Sequence, residues 1–395
     1  MDEILNLPIY EVAGCEFDCS CGRHHVFPVE GISVGKNAIK DLVKFAAPYK
    51  EQKILVVFDN NTYKVAGRKA VELLKENGFE HIKELLFETG NDILIPDETT
   101  LGRILIELDQ DCGLVIAVGS GVINDSCKYV TAKTGKPFII VATAPSMDGY
   151  VSAGAPIFSQ GFKLSPQAHL PIAVIGDTDI LSTAPDDMIA AGFGDIVGKI
   201  TAIADWDVAV KVKNEYRCDT CVTLVNRALD KVFRNAEGLQ KRDGEALSAL
   251  MEALILTGTA MALADVSRPA SGAEHMIAHC WEMDEIKRGL NPIHHGTQVG
   301  IATPVVARIF EHLHDDLPEG TAELCPPHEE IEELLRRGGA IADPKEIGIS
   351  RELFHYSLLN SHDIRPRYSV LRYAKDLGRL EEIADKITEE YYGKE

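Results

Sequence analysis

The order of apolar and polar positions divides the chain in two. Between about residues 53 and 177, short β-branched runs alternate with stretches whose apolar residues recur at helical spacing. Residues 53–58 read as a strand buried on both faces, followed by a helix over 62–77 that Gly78 closes. Further strands are predicted at 82–87, 113–118, 137–142 and 172–176, with helices over 97–108 and 122–134. This β-α-β-α-β rhythm implies a parallel, Rossmann-like sheet with right-handed crossovers, an architecture that binds nucleotides. After Ser182 the pattern changes, and Pro185 opens a series of helical segments running almost to residue 395. The expected organisation is an α/β dinucleotide-binding domain over 1–182 and an all-α domain over 183–395. The cleft between them is the expected ligand site.

Composition narrows the classes. The chain is 45% hydrophobic and 26% charged, which is globular and not disordered. Its apolar runs read as shorter than the roughly 20 residues of a membrane span. The first residues show no export signal, so the nine cysteines are expected to be reduced in a cytoplasm. A net charge of −21 argues against nucleic-acid and anionic-membrane partners. An anionic ligand therefore needs a local positive site.

Candidate chemistry begins at the third predicted strand, which runs into Gly119-Ser120-Gly121 and a helix. Glycines there admit a ligand close to the backbone, and free N–H groups at a helix start attract a pyrophosphate. Asn124 stands where a G-x-G-x-x-G fingerprint has its third glycine, so the turn alone is a weak signal. The next strand ends in Thr143-Ala144-Pro145-Ser146-Met147-Asp148, small hydroxyl residues with one carboxylate at a sheet edge. Asp59, at the end of the first strand, suits an adenosine ribose and equally a helix cap.

The helical half carries the stronger signal. Asp195 is a lone carboxylate in the apolar, glycine-rich stretch 191–199, and a bound cation is one of its few good partners. His275 and His279 share one face of a helix. After a break at Asn291-Pro292, His294-His295-Gly296 opens the next helix; the adjacent histidines diverge, so one of them is the candidate. Two histidines and a carboxylate suit a catalytic divalent metal. The segment from Cys15 through Cys19, Cys21 and His24 to His25 looks like one knuckle of a zinc site. Its spacing is irregular and no second knuckle follows, which favours reduced thiols in a β-hairpin.

These segments, in this order, resemble the superfamily of iron-type alcohol dehydrogenases, glycerol dehydrogenases and dehydroquinate synthases, and within it the bacterial sn-glycerol-1-phosphate dehydrogenases. The resemblance rests on residues 119–125, 143–150, 192–195, 271–275 and 294–296. It implies that Asp195, His275 and His295 hold one Zn²⁺ or Ni²⁺, and that Asp148, Asp195 and His279 meet the substrate, with His279 able to relay a proton. It also implies that Asp59, Gly119, Ser120, Gly121, Val122, Ile123, Thr143, Ala144, Pro145, Ser146 and Ser152 line NAD(H) or NADP(H), and that the chain forms a homodimer. The implied reaction is metal-dependent reduction of dihydroxyacetone phosphate to sn-glycerol 1-phosphate. Charge and helix position add Arg268 and the N–H groups near Ser271-Gly272 as the phosphate site. Glycerol dehydrogenase, acting on unphosphorylated polyols, is the main alternative; a dehydroquinate-synthase-like lyase is disfavoured because it would carry a glutamate at Asp195.

If the glycine turn receives a pyrophosphate, Gly121→Val raises the KM for the nicotinamide cofactor far more than that for the ketone. Steady-state kinetics with each substrate varied checks this, and an unchanged cofactor KM reduces the turn to a connection.

Overall fold

The computed structural model describes residues 3–90, 93–160, 162–291 and 293–394. After two short helices the chain makes a hairpin of β1 (Glu16–Asp18) and β2 (His24–Val26). The central sheet follows, made of β3 (Gly31–Gly35), β4 (Lys53–Asp59), β5 (Ile82–Phe87), β6 (Cys112–Gly119) and β7 (Phe138–Ala142). A second hairpin, β8 (Ile157–Ser159) with β9 (Phe162–Leu164), precedes the last sheet strand, β10 (Ala173–Asp177). The six-stranded order is β3-β10-β7-β6-β4-β5, and every pairing is parallel. Both sheet faces are covered, so Ile54 to Phe58 and Leu114 to Val118 are at most 1% exposed. Two-sided burial is the reason these runs are continuously apolar instead of alternating.

Each strand predicted between 53 and 177 is present to within one residue at either end. The helix expected over 62–77 runs from Asn60 to Glu76 with a wider turn at Tyr63–Gly67. Gly78 closes it with a left-handed φ of 78°, a conformation that a Cβ would strain. β3 and the β8–β9 hairpin were not expected. Both are short, and β3 has glycine at each end, so neither offers enough periodicity to register.

From β4 the chain steps outward to β5, then returns past β4 to β6. The crevice between the carboxyl ends of β4 and β6 is thus the topological switch point, where open α/β sheets bind ligands. Asp59 ends one of these strands and Gly119 the other.

The helical half is led by Asp186–Lys213, Asp219–Arg234, Gly244–Ala264, Ala273–Lys287 and His295–His312. The helix Gly244–Ala264 corrects the reading of the apolar runs: at 21 residues and mean hydropathy 1.7 it is long and apolar enough to cross a bilayer. Its most apolar stretch is 78% buried inside the fold, as a core helix is. The N-terminal segment, assigned by position to the α/β half, lies against the helices: the Arg227 guanidinium donates to the carbonyls of Leu5 and Leu7, and Arg23 to that of Ala264. The helix break at Asn291-Pro292 falls partly outside the described residues, at Pro292.

Helices Asp186–Lys213 and His295–His312 meet backbone to backbone. A Cβ on Gly194 would stand 2.4 Å from the Gly296 carbonyl oxygen, and one on Gly296 would stand 2.0 Å from that of Ala191. No rotamer relieves a clash with backbone. Gly296→Ala is therefore expected to lower unfolding free energy by about 1–3 kcal/mol, read from denaturant midpoints, and to weaken divalent-metal binding as the helices separate. A variant as stable as the parent would show that the contact is loose.

Candidate active site

A cleft of about 1450 Å³ runs from the switch point of the sheet to the helical half. Asp59, Ser120, Gly121, Val122, Ile123, Thr143, Ala144, Ser146, Asp148 and Ser152 line its sheet side, and His275, His279 and His295 its helical side. Gly119 and Pro145 are not on the wall. A Cβ on Gly119 would stand 2.6 Å from that of Ile123, so Gly119 sets the turn tightly. The Ser120 hydroxyl bonds the Ser146 hydroxyl at 2.6 Å and Tyr150 Oη at 3.2 Å, tying the glycine turn to the following loop. Asp59 is a cap: its Oδ1 accepts from the backbone N–H of Asn61 and of Thr62, both at 2.8 Å. The same residue lines the cleft, so capping and ribose binding are compatible.

On the helical side, the close glycine contact brings Asp195 beside the start of the helix that carries His295. One ligand atom each from Asp195, His275 and His295 lie within 4.8 Å of one another. The outer partners of the rings show what this cluster fits. His275 Nδ1 is 2.7 Å from Glu274 Oε1, and His295 Nδ1 is 2.7 Å from Glu282 Oε1. With Nδ1 committed to a buried carboxylate, each Nε2 is left as the lone-pair nitrogen, the arrangement found behind metal-bound histidine. Glu274 is itself fixed by the Thr201 hydroxyl at 2.8 Å and the Gly272 N–H at 2.6 Å. These residues fit a divalent ion. His294 faces elsewhere, 3.3 Å from Asp187 and outside the cluster, so the geometry favours His295 over its neighbour.

Lys199 was not singled out by sequence, yet it is fully buried and spans both candidate aspartates. Its Nζ is 2.5 Å from Asp195 Oδ1 and 2.8 Å from Asp148 Oδ2. Burial pushes the Asp195 carboxyl up, but the Lys199 ammonium and the nearby imidazoles outweigh it and hold the group well below the usual carboxylate range. Burial likewise opposes the Lys199 charge, and the two aspartates more than restore it. His275, penalised by burial, is still raised by Asp195 and Glu274. The pocket therefore draws positive charge to its centre.

Glu282 was also missed, although it sits one turn beyond His279. It receives Lys163 of β9 at 2.8 Å and holds both His279 and His295. His279 Nδ1 is 2.7 Å from Glu282 Oε2, and its Nε2 is 2.7 Å from Arg365 Nη2. Burial pulls this imidazole down to about 3, so the ring is neutral at ordinary pH. A neutral His279 has one N–H and one acceptor nitrogen, facing Glu282 and Arg365.

Arg268 does not reach the cleft. It is 3% exposed and held by Glu215 at 2.6 and 2.5 Å and by Asp205 at 3.4 Å. The Gly272 N–H is likewise occupied by Glu274. The expected phosphate site is therefore corrected: two carboxylates already balance Arg268. Arg365 is different. It lines the cleft beside Ser271 and His279, and among the described residues it forms no ion pair. Burial pulls its guanidinium below the usual value, more than the nearby charges of Glu282 and Glu274 raise it.

Comparison with known proteins gives a consistent picture. A family model described as iron-containing alcohol dehydrogenase matches residues 33–185. The glycerol-1-phosphate dehydrogenase (NAD(P)+) of Bacillus licheniformis is 34% identical over 373 residues, covering 92% of this chain and 93% of that protein. Its namesake in Thermococcus kodakarensis is 37% identical over 335 residues, covering 85% and 88%. Among solved structures, a glycerol dehydrogenase from Schizosaccharomyces pombe superposes with a TM-score of 0.66 at 17% identity, covering 92% of each chain. A probable glycerol dehydrogenase from Sinorhizobium meliloti gives 0.67 at 17%, covering 92% of this chain and 98% of that one. At such identities the structural likeness speaks for the fold alone.

His275→Ala and His295→Ala are each expected to remove one divalent ion per chain while His294→Ala keeps it, because open catalytic sites with three protein ligands tolerate no further loss. Elemental analysis after dialysis reads this directly, and retention in His295→Ala would reassign the ligand.

Proposed function

The chain belongs to the glycerol-1-phosphate dehydrogenase family of the iron-containing alcohol dehydrogenases, and from that membership we propose that it reduces dihydroxyacetone phosphate reversibly to sn-glycerol 1-phosphate with NADH or NADPH. The observation that carries the substrate is Arg365, a partly buried guanidinium without an ion pair among the described residues, facing the cleft 2.7 Å from His279. A phosphate dianion is the natural partner for such a group, because it accepts charge-assisted hydrogen bonds and ends the desolvated charge's isolation. The unphosphorylated alternative, glycerol, leaves Arg365 unpaired.

A divalent ion at Asp195, His275 and His295 supplies Lewis acidity to the ketone oxygen, and a nicotinamide along the switch point supplies the hydride. The protein's own residues do the rest. Lys199 pairs with both Asp148 and Asp195 and fixes them in place. Glu274 and Glu282 set the tautomer and direction of the imidazoles. His279, held by Glu282 through Nδ1, orients Arg365 through its Nε2. Asp59, by its charge at the adenosine end, disfavours a 2′-phosphate and so favours NADH. Zn²⁺ and Ni²⁺ both suit the mixed nitrogen and oxygen ligands. The nine free thiols accord with a cytoplasmic enzyme, and a homodimer follows from the family resemblance.

Dihydroxyacetone phosphate is expected to exceed dihydroxyacetone in kcat/KM by about 100-fold or more, since a site built around a charged group rejects the analogue lacking it. Arg365→Ala should lower kcat/KM for the phosphorylated ketone by about 10- to 100-fold, the worth of one or two charge-assisted hydrogen bonds, while leaving the unphosphorylated ketone nearly unaffected. Arg268→Ala should lower stability without altering this discrimination. Comparable rates for both ketones in the parent enzyme would sink the phosphate site and make glycerol dehydrogenase the better reading.

A further inference from the structure

The N-terminal cysteines gain a partner that their own stretch of sequence does not contain. Cys19 and Cys21 flank the turn of the β1–β2 hairpin, and His25 lies in β2. Folding brings to them Cys218, the residue that caps helix Asp219–Arg234, 199 positions away from Cys19. One ligand atom from each of these four residues lies within 4.8 Å of the others. Cys19, His25 and Cys218 are buried and Cys21 is partly exposed. The two other members of the anticipated knuckle drop out: His24 is turned outward between Glu16 and Asp18, and Cys15 lies outside the group.

The separations discriminate between the states three thiols and an imidazole can adopt. A tetrahedral zinc ion with Zn–S of about 2.3 Å and Zn–N of about 2.0–2.1 Å places its ligands about 3.8 Å apart for sulfur–sulfur and about 3.5 Å for sulfur–nitrogen. Here Cys19 Sγ and Cys218 Sγ are 3.7 Å apart. His25 Nε2 is 3.3 Å from Cys21 Sγ and 3.5 Å from Cys218 Sγ. A disulfide requires about 2.05 Å, so none of these pairs is one. The outer groups also suit thiolates: Thr220 Oγ1 is 3.3 Å from Cys19 Sγ and Tyr216 Oη is 3.3 Å from Cys21 Sγ, each able to donate a hydrogen bond to sulfur. A helix start, where Cys218 sits, further favours the thiolate.

We propose that Cys19, Cys21, His25 and Cys218 form a closed Cys₃His structural zinc site that staples the N-terminal hairpin to the helical half. Four protein ligands leave no open position, so this ion is structural, unlike the one proposed at Asp195, His275 and His295. The staple acts where the cleft is built, because Val26 and Pro28, directly after the hairpin turn, line its rim. Arg23 supports the same junction, with its guanidinium 3.4 Å from the Tyr216 ring centroid.

The test is elemental analysis of the full-length chain, purified under reducing conditions, loaded with zinc and freed of loose ions by gel filtration. Two ions per chain are expected in the parent, one in Cys218→Ser, one in His275→Ala and none in the double variant. Cobalt substitution of the parent protein makes the result independent of whether the variants fold. An intense sulfur-to-cobalt charge-transfer absorption is expected, which Asp195, His275 and His295 cannot produce because they contain no sulfur. A single ion per chain with no such absorption overturns the proposal, as does a Cys19–Cys218 disulfide found by peptide mapping of the freshly purified chain. Loss of activity with the thiolate absorption intact would instead count only against the catalytic reading.

Discussion

Helices Asp186–Lys213 and His295–His312 approach until Gly194 lies against Gly296 and Gly300, closer than any side chain would permit. Most of the site depends on that contact. Asp195 follows one of these glycines and His295 precedes another, so the closest point of the two backbones is also the point where the two proposed ligands converge. Gly192 extends the same constraint to the sheet: a Cβ there would stand 1.7 Å from the Pro145 carbonyl oxygen. The long helix is thus pressed against the loop that carries Ser146, Met147 and Asp148. Small residues trade packing area for proximity, and here proximity puts the carboxylate of one half 3.0 Å from the Asp148 N–H of the other.

Such closeness concentrates charge, and the structure balances it. Asp148 and Asp195 share Lys199; Glu282 faces Lys163 and two imidazoles; Glu274 faces His275. Buried carboxylates without partners would each cost several kcal/mol, so this pairing is a condition for the pocket to exist. It also separates two cation roles. Arg268 is consumed by Glu215 and Asp205 and holds the fold together, whereas Arg365 keeps its guanidinium for the cleft. In a chain of net charge −21 a partly buried cation at the cleft matters, because distant surface charge is screened by solvent while a partly desolvated guanidinium is screened less.

The two halves meet through more than the cleft. Lys163 reaches from the β8–β9 hairpin to Glu282, and the N-terminal hairpin lies against the helix that begins at Asp219. Both hairpins are short and would be marginal alone. Each is anchored by contacts to the opposite half, so each can hold the rim of the cleft.

Sequence by itself determined the elements whose cause is local or periodic. Apolar runs identified five parallel strands, four of them continuous because burial on both faces demands it, and the fifth, Ile82–Phe87, at the sheet edge. Gly78, Pro185 and the Gly-Ser-Gly turn marked ends and starts, because few residues tolerate those backbone geometries. His275 and His279 stood out by their helical spacing and the His294-His295 pair by its place after a helix break, and the resemblance to a known family singled out His295. What tertiary structure decided are the partners of charged and sulfur-bearing groups. Arg268 and Arg365 look alike along the chain; only folding shows that two carboxylates reach the first and none pairs with the second among the described residues. Lys199 reads as one charge on a helix until Asp148 arrives opposite it. Cys218 lies nearly 200 residues from the hairpin it joins. Periodicity and capping act over a few residues and are written in order, whereas an ion pair or a ligand cluster depends on distances that exist only once the backbone has closed.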